Sequence, residues 1–124
     1  VSAVRTSLGD TLRSVVYFTP AEFDVLYVRQ GLYDSAEEAR VAKSQLVELE
    51  QVGFAEAPVR TAIEGRKDGS NVGGYEFTVR FHEYGFVVRV IQGDTGVVLT
   101  ADSMDVKAFE DAAIAARGLL AESE

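Results

Sequence analysis

Few residue types in this sequence could do chemistry. His82 is the only histidine and there is no cysteine. That removes two-histidine metal sites within one chain, disulfides, zinc–thiolate centres, iron–sulfur clusters and thiol nucleophiles. A catalytic histidine needs a nucleophile or carboxylate within about 3 Å. Its neighbour Glu83 points to the other face of a strand running through His82, so His82 reads as a surface residue near a hairpin tip. Carboxylates are abundant, but Glu37, Glu38, Glu48 and Glu50 fall on one predicted helix and read as its solvated face. Asp102 and Asp105 flank Ser103 where a helix start calls for a capping acid. No D-x-D-x-D-G spacing marks a calcium loop. The residues therefore assign no catalytic group, no metal and no cofactor.

The most informative pair is basic. Tyr75, Phe77, Val79 and Phe81 alternate with Glu76, Thr78, Arg80 and His82, the period of a strand with one apolar face. A two-residue turn at Tyr84–Gly85 would return the chain through Phe86 to Ile91. It would set Phe81 against Val88, Val79 against Val90 and Arg80 directly against Arg89. Two like charges about 5 Å apart across a sheet are destabilising unless something negative sits with them. That acid comes from a neighbouring strand or helix, from a partner subunit, or from a bound anion. The last two would make Arg80 and Arg89 a binding site for an anion or a partner carboxylate. The same face carries Thr78, Val87 and Ile91, so the sheet needs a cover on both sides. One cover is a helix layer; the other is a second helix or another copy of the chain.

The remaining elements frame this hairpin. Val4 and Leu8 make a short helical stripe ended by Gly9, a natural left-handed cap. Leu12–Thr19 and Phe23–Arg29 are rich in β-branched and aromatic residues and form two strands around Pro20. Ser35, with Glu38 three residues later, is a capping box. Ala39, Ala42, Leu46 and Leu49 then form the buried stripe of a helix ending near Gly53, leaving Glu37, Lys43, Glu48 and Gln51 to solvent. Pro58 forbids a continuous helix through Phe54–Ile63, where Phe54, Val59 and Ile63 can pin a loop to the core. Glu64–Gly74 holds four glycines; it runs into a strand rather than a helix and lacks a G-K-[ST] ending, so it reads as a connection, not a phosphate cradle. After a turn at 92–96, Val97–Thr100 is the last strand. Asp105–Leu120 is the last helix, with Val106, Phe109, Ala113, Ala116 and Leu120 as its stripe, widened by Ala112, Ile114 and Leu119. The order is αββαβββα, an α+β fold with a central antiparallel sheet of about five strands and helices packed on it.

At 124 residues the chain makes a single α+β domain over 1–124. Twenty acidic against twelve basic residues give a net charge of −8, which opposes nucleic acid and anionic membrane surfaces as partners. Nine of the basic residues are Arg and three are Lys (43, 67 and 107). Acid excess with few lysines suggests a halophilic, salt-rich cytoplasm, where a Debye length of about 3 Å at 1 M relieves repulsion between acids. No apolar run approaches the roughly 20 residues of a membrane span, and no signal peptide is visible. The start at Val1 rather than Met leaves room for a stretch upstream.

Two resemblances follow. The stretches SLGDTLRSVVYFTPAEFDVLYVRQGLY, GYEFTVRFHEYGFVVRVIQGDTGVVLTADS and DVKAFEDAA resemble a family of small, uncharacterised haloarchaeal proteins. The element order is similar to Roadblock/LC7 and profilin-like domains, a likeness of topology. It implies a homodimeric scaffold or regulator. The expected function is a non-enzymatic regulatory or protein-interaction domain, self-associating as a homodimer in the cytoplasm. The alternative is a small-molecule sensor of the PAS or GAF kind with a pocket between sheet and helices. An enzyme using water-activating carboxylates is a third possibility, marked by two carboxyls in one cleft.

Overall fold

A computed structural model describes residues 2–65, 72–102 and 106–123, without the side chains of 106–109 and 123. The first helix, α1 (Ser2–Leu8), buries Val4 and Leu8, and Gly9 follows at φ +60° to open a 3-10 turn. Strands β1 (Leu12–Phe18) and β2 (Phe23–Val28) come next, then α2 (Ala36–Glu50). The Ser35 side chain caps α2 by accepting the Glu38 amide at 3.0 Å. Two short helices, α3 (Val52–Ala55) and α4 (Ala57–Glu64), occupy the segment around Pro58. Pro58 sits in the first turn of α4, where its missing N–H costs nothing. Strands β3 (Thr78–His82), β4 (Gly85–Gln92) and β5 (Thr95–Ala101) lead to α5 (Val106–Ser123). The expected α+β order is therefore present, with two short helices added.

The five strands form one antiparallel sheet in the order β2-β1-β5-β4-β3. One face carries Leu12, Val15, Val88, Val90 and Leu99, packed under Val4 and Leu8 of α1 and Ala112, Ala113, Ala116 and Leu120 of α5. Ile114 and Leu119, expected to widen the α5 stripe, lie on its exposed side. The other face carries Val16, Phe18, Val87, Ile91 and Val98 beneath Val47 of α2, with Phe54 of α3 edge-on to Phe18 at 5.4 Å. Val59 and Ile63 of α4 stay exposed and pin nothing. Both faces of the sheet are thus covered by helices of the same chain. The expected cap at Ser103 and Asp105, and most of the glycine-rich connection, lie outside the described residues.

Three expectations are corrected by packing. First, β3 and β4 pair two residues away from the expected register: Thr78 faces Arg89, Arg80 faces Val87 and His82 faces Gly85. The turn is Glu83–Tyr84, and Arg80 does not lie opposite Arg89. Among the described residues positive φ is confined to Gly9, Gly31, Gly73 and Gly93, so Gly85 is not used for a turn. It opens β4, where a Cβ would come within 2.5 Å of the Ala101 carbonyl oxygen. Gly85 supplies room rather than rotation. A slip of two residues leaves each side chain on its face.

Second, α2 is rotated. Its buried positions are Ala39, Lys43, Val47 and Glu50, while Leu49 is exposed. The centre of the buried stripe is turned by about 75° from that of Ala39, Ala42, Leu46 and Leu49, with Ala39 common to both. This turn carries Glu50 onto the sheet face that holds Arg80 and Arg89. Third, Tyr75 lies before β3 rather than in it, and its hydroxyl joins the Thr78 side rather than the apolar face.

Candidate functional site

The polar residues under α2 form two adjoining groups. In the first, Arg80 on β3 and Arg89 on β4 share a face and converge on one carboxylate. Arg80 Nε donates to Glu50 Oε2 at 2.8 Å, and Arg89 Nη1 to Glu50 Oε1 at 3.4 Å. Arg89 Nη2 also donates to Glu56 Oε1 at 2.7 Å and to Thr78 Oγ1 at 2.9 Å. Arg60 of α4 donates to Glu56 at 3.0 Å and lies 4.5 Å over the Tyr75 ring. Arg89 and Glu50 are fully enclosed, whereas Arg80 and Glu56 reach solvent. Burial opposes the charge of Arg89, but Tyr75 and Glu56 outweigh it, and the pKa stands above its ordinary value. Arg89 Nε is buried without a hydrogen-bond partner among the described residues.

Helix α3 makes this enclosure possible through one small residue. A Cβ at Gly53 would lie 2.6 Å from Arg89 Cζ and 2.5 Å from Ile91 Cδ1. Gly53 lets the backbone lie directly on the guanidinium, beyond its expected role as a helix stop.

The second group lines a cleft of about 340 Å³ between α2 and the tip of the β3–β4 hairpin. Lys43 comes from α2, Arg13 from β1, His82 and Glu83 from the hairpin, and Thr100 from β5; Phe86 and Val87 supply apolar wall. Arg13 Nη1 is held by Asp102 Oδ1 at 2.9 Å, and Asp102 also pairs with Arg29 at the end of β2. Arg29 first, and Arg13 after it, hold the Asp102 carboxyl below the usual range. Lys43 is 5% exposed. Burial, and secondarily the charge of Arg13, lower its pKa to about 8.

A model of the DUF7522 family, a domain of unknown function, matches residues 1–121. The chain belongs to that family. No curated protein matches it. The DUF7522 chain brings the expected residues Arg80 and Arg89 together, though diagonally and through Glu50 rather than face to face. It sets His82 at the exposed hairpin tip, as expected. Lys43 and Glu50, both assigned to solvent from the sequence, prove to be buried on this face together with Arg89. One signal could have found Glu50: among the acids of α2, its spacing from Ala39 and Val47 places it on their stripe. Among the described residues no group of three or more His, Asp or Glu side chains could hold a metal ion, and no helix is long and apolar enough to cross a membrane.

Proposed function

We propose that this DUF7522 chain is a non-enzymatic regulatory or protein-interaction domain that self-associates as a homodimer in a salt-rich cytoplasm. The observation that carries the reading is the β3 edge, where no further strand pairs among the described residues. This strand ends the sheet, and an edge strand offers unpaired N–H and C=O groups to another chain. Beside that edge Phe81 is 66% and Tyr84 79% exposed, with Phe81 stacked edge-on against Phe86 at 4.9 Å. Two copies related by a twofold axis would pair their β3 strands antiparallel and cover these rings. The five-stranded antiparallel sheet with helices on it supports the likeness to Roadblock/LC7 and profilin-like domains, which points the same way. The excess of acid and the scarcity of lysine support the salt-rich setting.

The test is size-exclusion with light scattering at about 2 M and about 0.2 M salt, concentrations that bracket a Debye length of a few Å. A dimer burying more than about 1,000 Å² is expected; a monomer at every concentration and both salts overturns the reading. A sensor function is the second reading, favoured by the cleft at Lys43.

A further inference from the structure

Lys43 is the one lysine whose side chain is described and the most enclosed charge of the cleft. The described residues give its ammonium no hydrogen bond and no ion pair; the nearest favourable group is the Tyr33 ring, 5.6 Å away. The neighbouring charge that acts on it most is another cation, Arg13. Most of the side chain is out of water, while the ammonium itself keeps solvent contact through the cleft; an ammonium so enclosed is costly unless a counter-charge or hydrogen bonds replace what it lost. Elsewhere on this face the rule is kept: Arg80 and Arg89 share Glu50, and Arg89 and Arg60 share Glu56. The exception at Lys43 coincides with a cleft reached from solvent.

We propose that the cleft between α2 and the β3–β4 hairpin binds a small oxyanion, a carboxylate or phosphate carried on a short apolar body, anchored by the Lys43 ammonium. The anionic end meets Lys43, with Arg13 and His82 beside it, and the apolar body lies along Phe86 and Val87. Glu83 lines the rim and is exposed; its charge disfavours ligands with a second negative group pointing outward. A volume of about 340 Å³ suits a molecule of single-ring size. The elements of the site belong to one chain and its signal is read at Lys43 itself, so binding is measured separately from oligomeric state, although Tyr84 belongs both to the cleft and to the proposed dimer surface.

The probes are benzoate, phenyl phosphate and neutral benzamide, at constant chloride. The readouts are the thermal midpoint and the Lys43 Cε resonance of protein carrying ¹³C-lysine. Benzoate or phenyl phosphate is expected to raise the midpoint and to shift the Lys43 resonance, with its pKa moving up from about 8; benzamide does neither. Lys43→Met, which removes the charge and keeps the length, is expected to weaken binding by about tenfold or more, the worth of one charge-assisted contact. Whichever anion binds names the headgroup. Equal responses to benzamide and benzoate, an undiminished response in K43M, or a Lys43 resonance unmoved by millimolar anion each overturn the proposal. Saturation by chloride alone also overturns it. Should K43M not fold, the Lys43 titration in the native chain decides by itself.

Discussion

Two charges on α2 show how differently a buried ion behaves with and without a partner. Glu50 is fully buried and holds both Arg80 and Arg89. Removing one member of a buried pair leaves the other uncompensated. Glu50→Gln is therefore expected to lower unfolding stability by about 3 kcal/mol in urea titrations, the low end of the usual range because Glu56 still serves Arg89. The double change Glu50→Leu with Arg89→Met should cost less than the sum of the two single changes. Lys43 has the opposite problem. Its folded pKa of about 8 lies below the ordinary 10.5, so between those values the unfolded chain binds more protons than the folded one. Stability then rises with pH across that window, because the penalty on the charged form, complete below pH 8, is progressively relieved. The Tyr33 ring lies 5.6 Å from the ammonium, and the titratable and charged groups that line its cleft are Arg13, His82, Glu83 and Tyr84. The difference in stability between native chain and K43M, followed by chemical denaturation from neutral pH upward, isolates the lysine; a constant difference would refute the effect.

At the level of elements, local signals worked where the cause was local. Ser35 and Glu38 mark the start of α2 because a cap is made by residues three apart. The alternation through Val79 and Phe81 marks β3 because strand faces alternate wherever the strand lies. Rotation and register had distant causes. The turn of α2 answers arginines thirty and thirty-nine residues away from Glu50, and the place of Gly85 answers the carbonyl of Ala101 on β5. The β3 edge gives the prediction that belongs here. Phe81→Asp places an unpaired charge in the proposed interface and is expected to yield monomers in light scattering with the fold intact by circular dichroism, since Phe81 is already 66% exposed. An unchanged oligomeric state would move the interface elsewhere.

The whole molecule combines an acidic exterior with a cationic interior face. The net charge is −8, yet Arg13, Lys43, Arg80 and Arg89 gather between α2 and the sheet, where Glu50 and Glu56 offset part of their charge. Surface acids repel one another over a Debye length that shrinks from about 10 Å at 0.1 M to about 3 Å at 1 M salt. Thermal unfolding is therefore expected to shift upward with sodium chloride through the molar range. Undiminished stability in dilute buffer would count against a salt-rich setting.

What the residues determined alone were the order αββαβββα of the main elements, without the two short helices around Pro58, the two-sided sheet, and the side of β3 and β4 on which Arg80 and Arg89 stand. These depend on periods of two and 3.6 residues and on caps, which are properties of neighbouring residues. The tertiary structure alone decided that Glu50 joins the two arginines, and that Lys43 is enclosed beside a cleft with no acid paired to it among the described residues. Those outcomes rest on which way a helix turns over a sheet, and that is settled by desolvation and charge pairing between residues far apart in the chain.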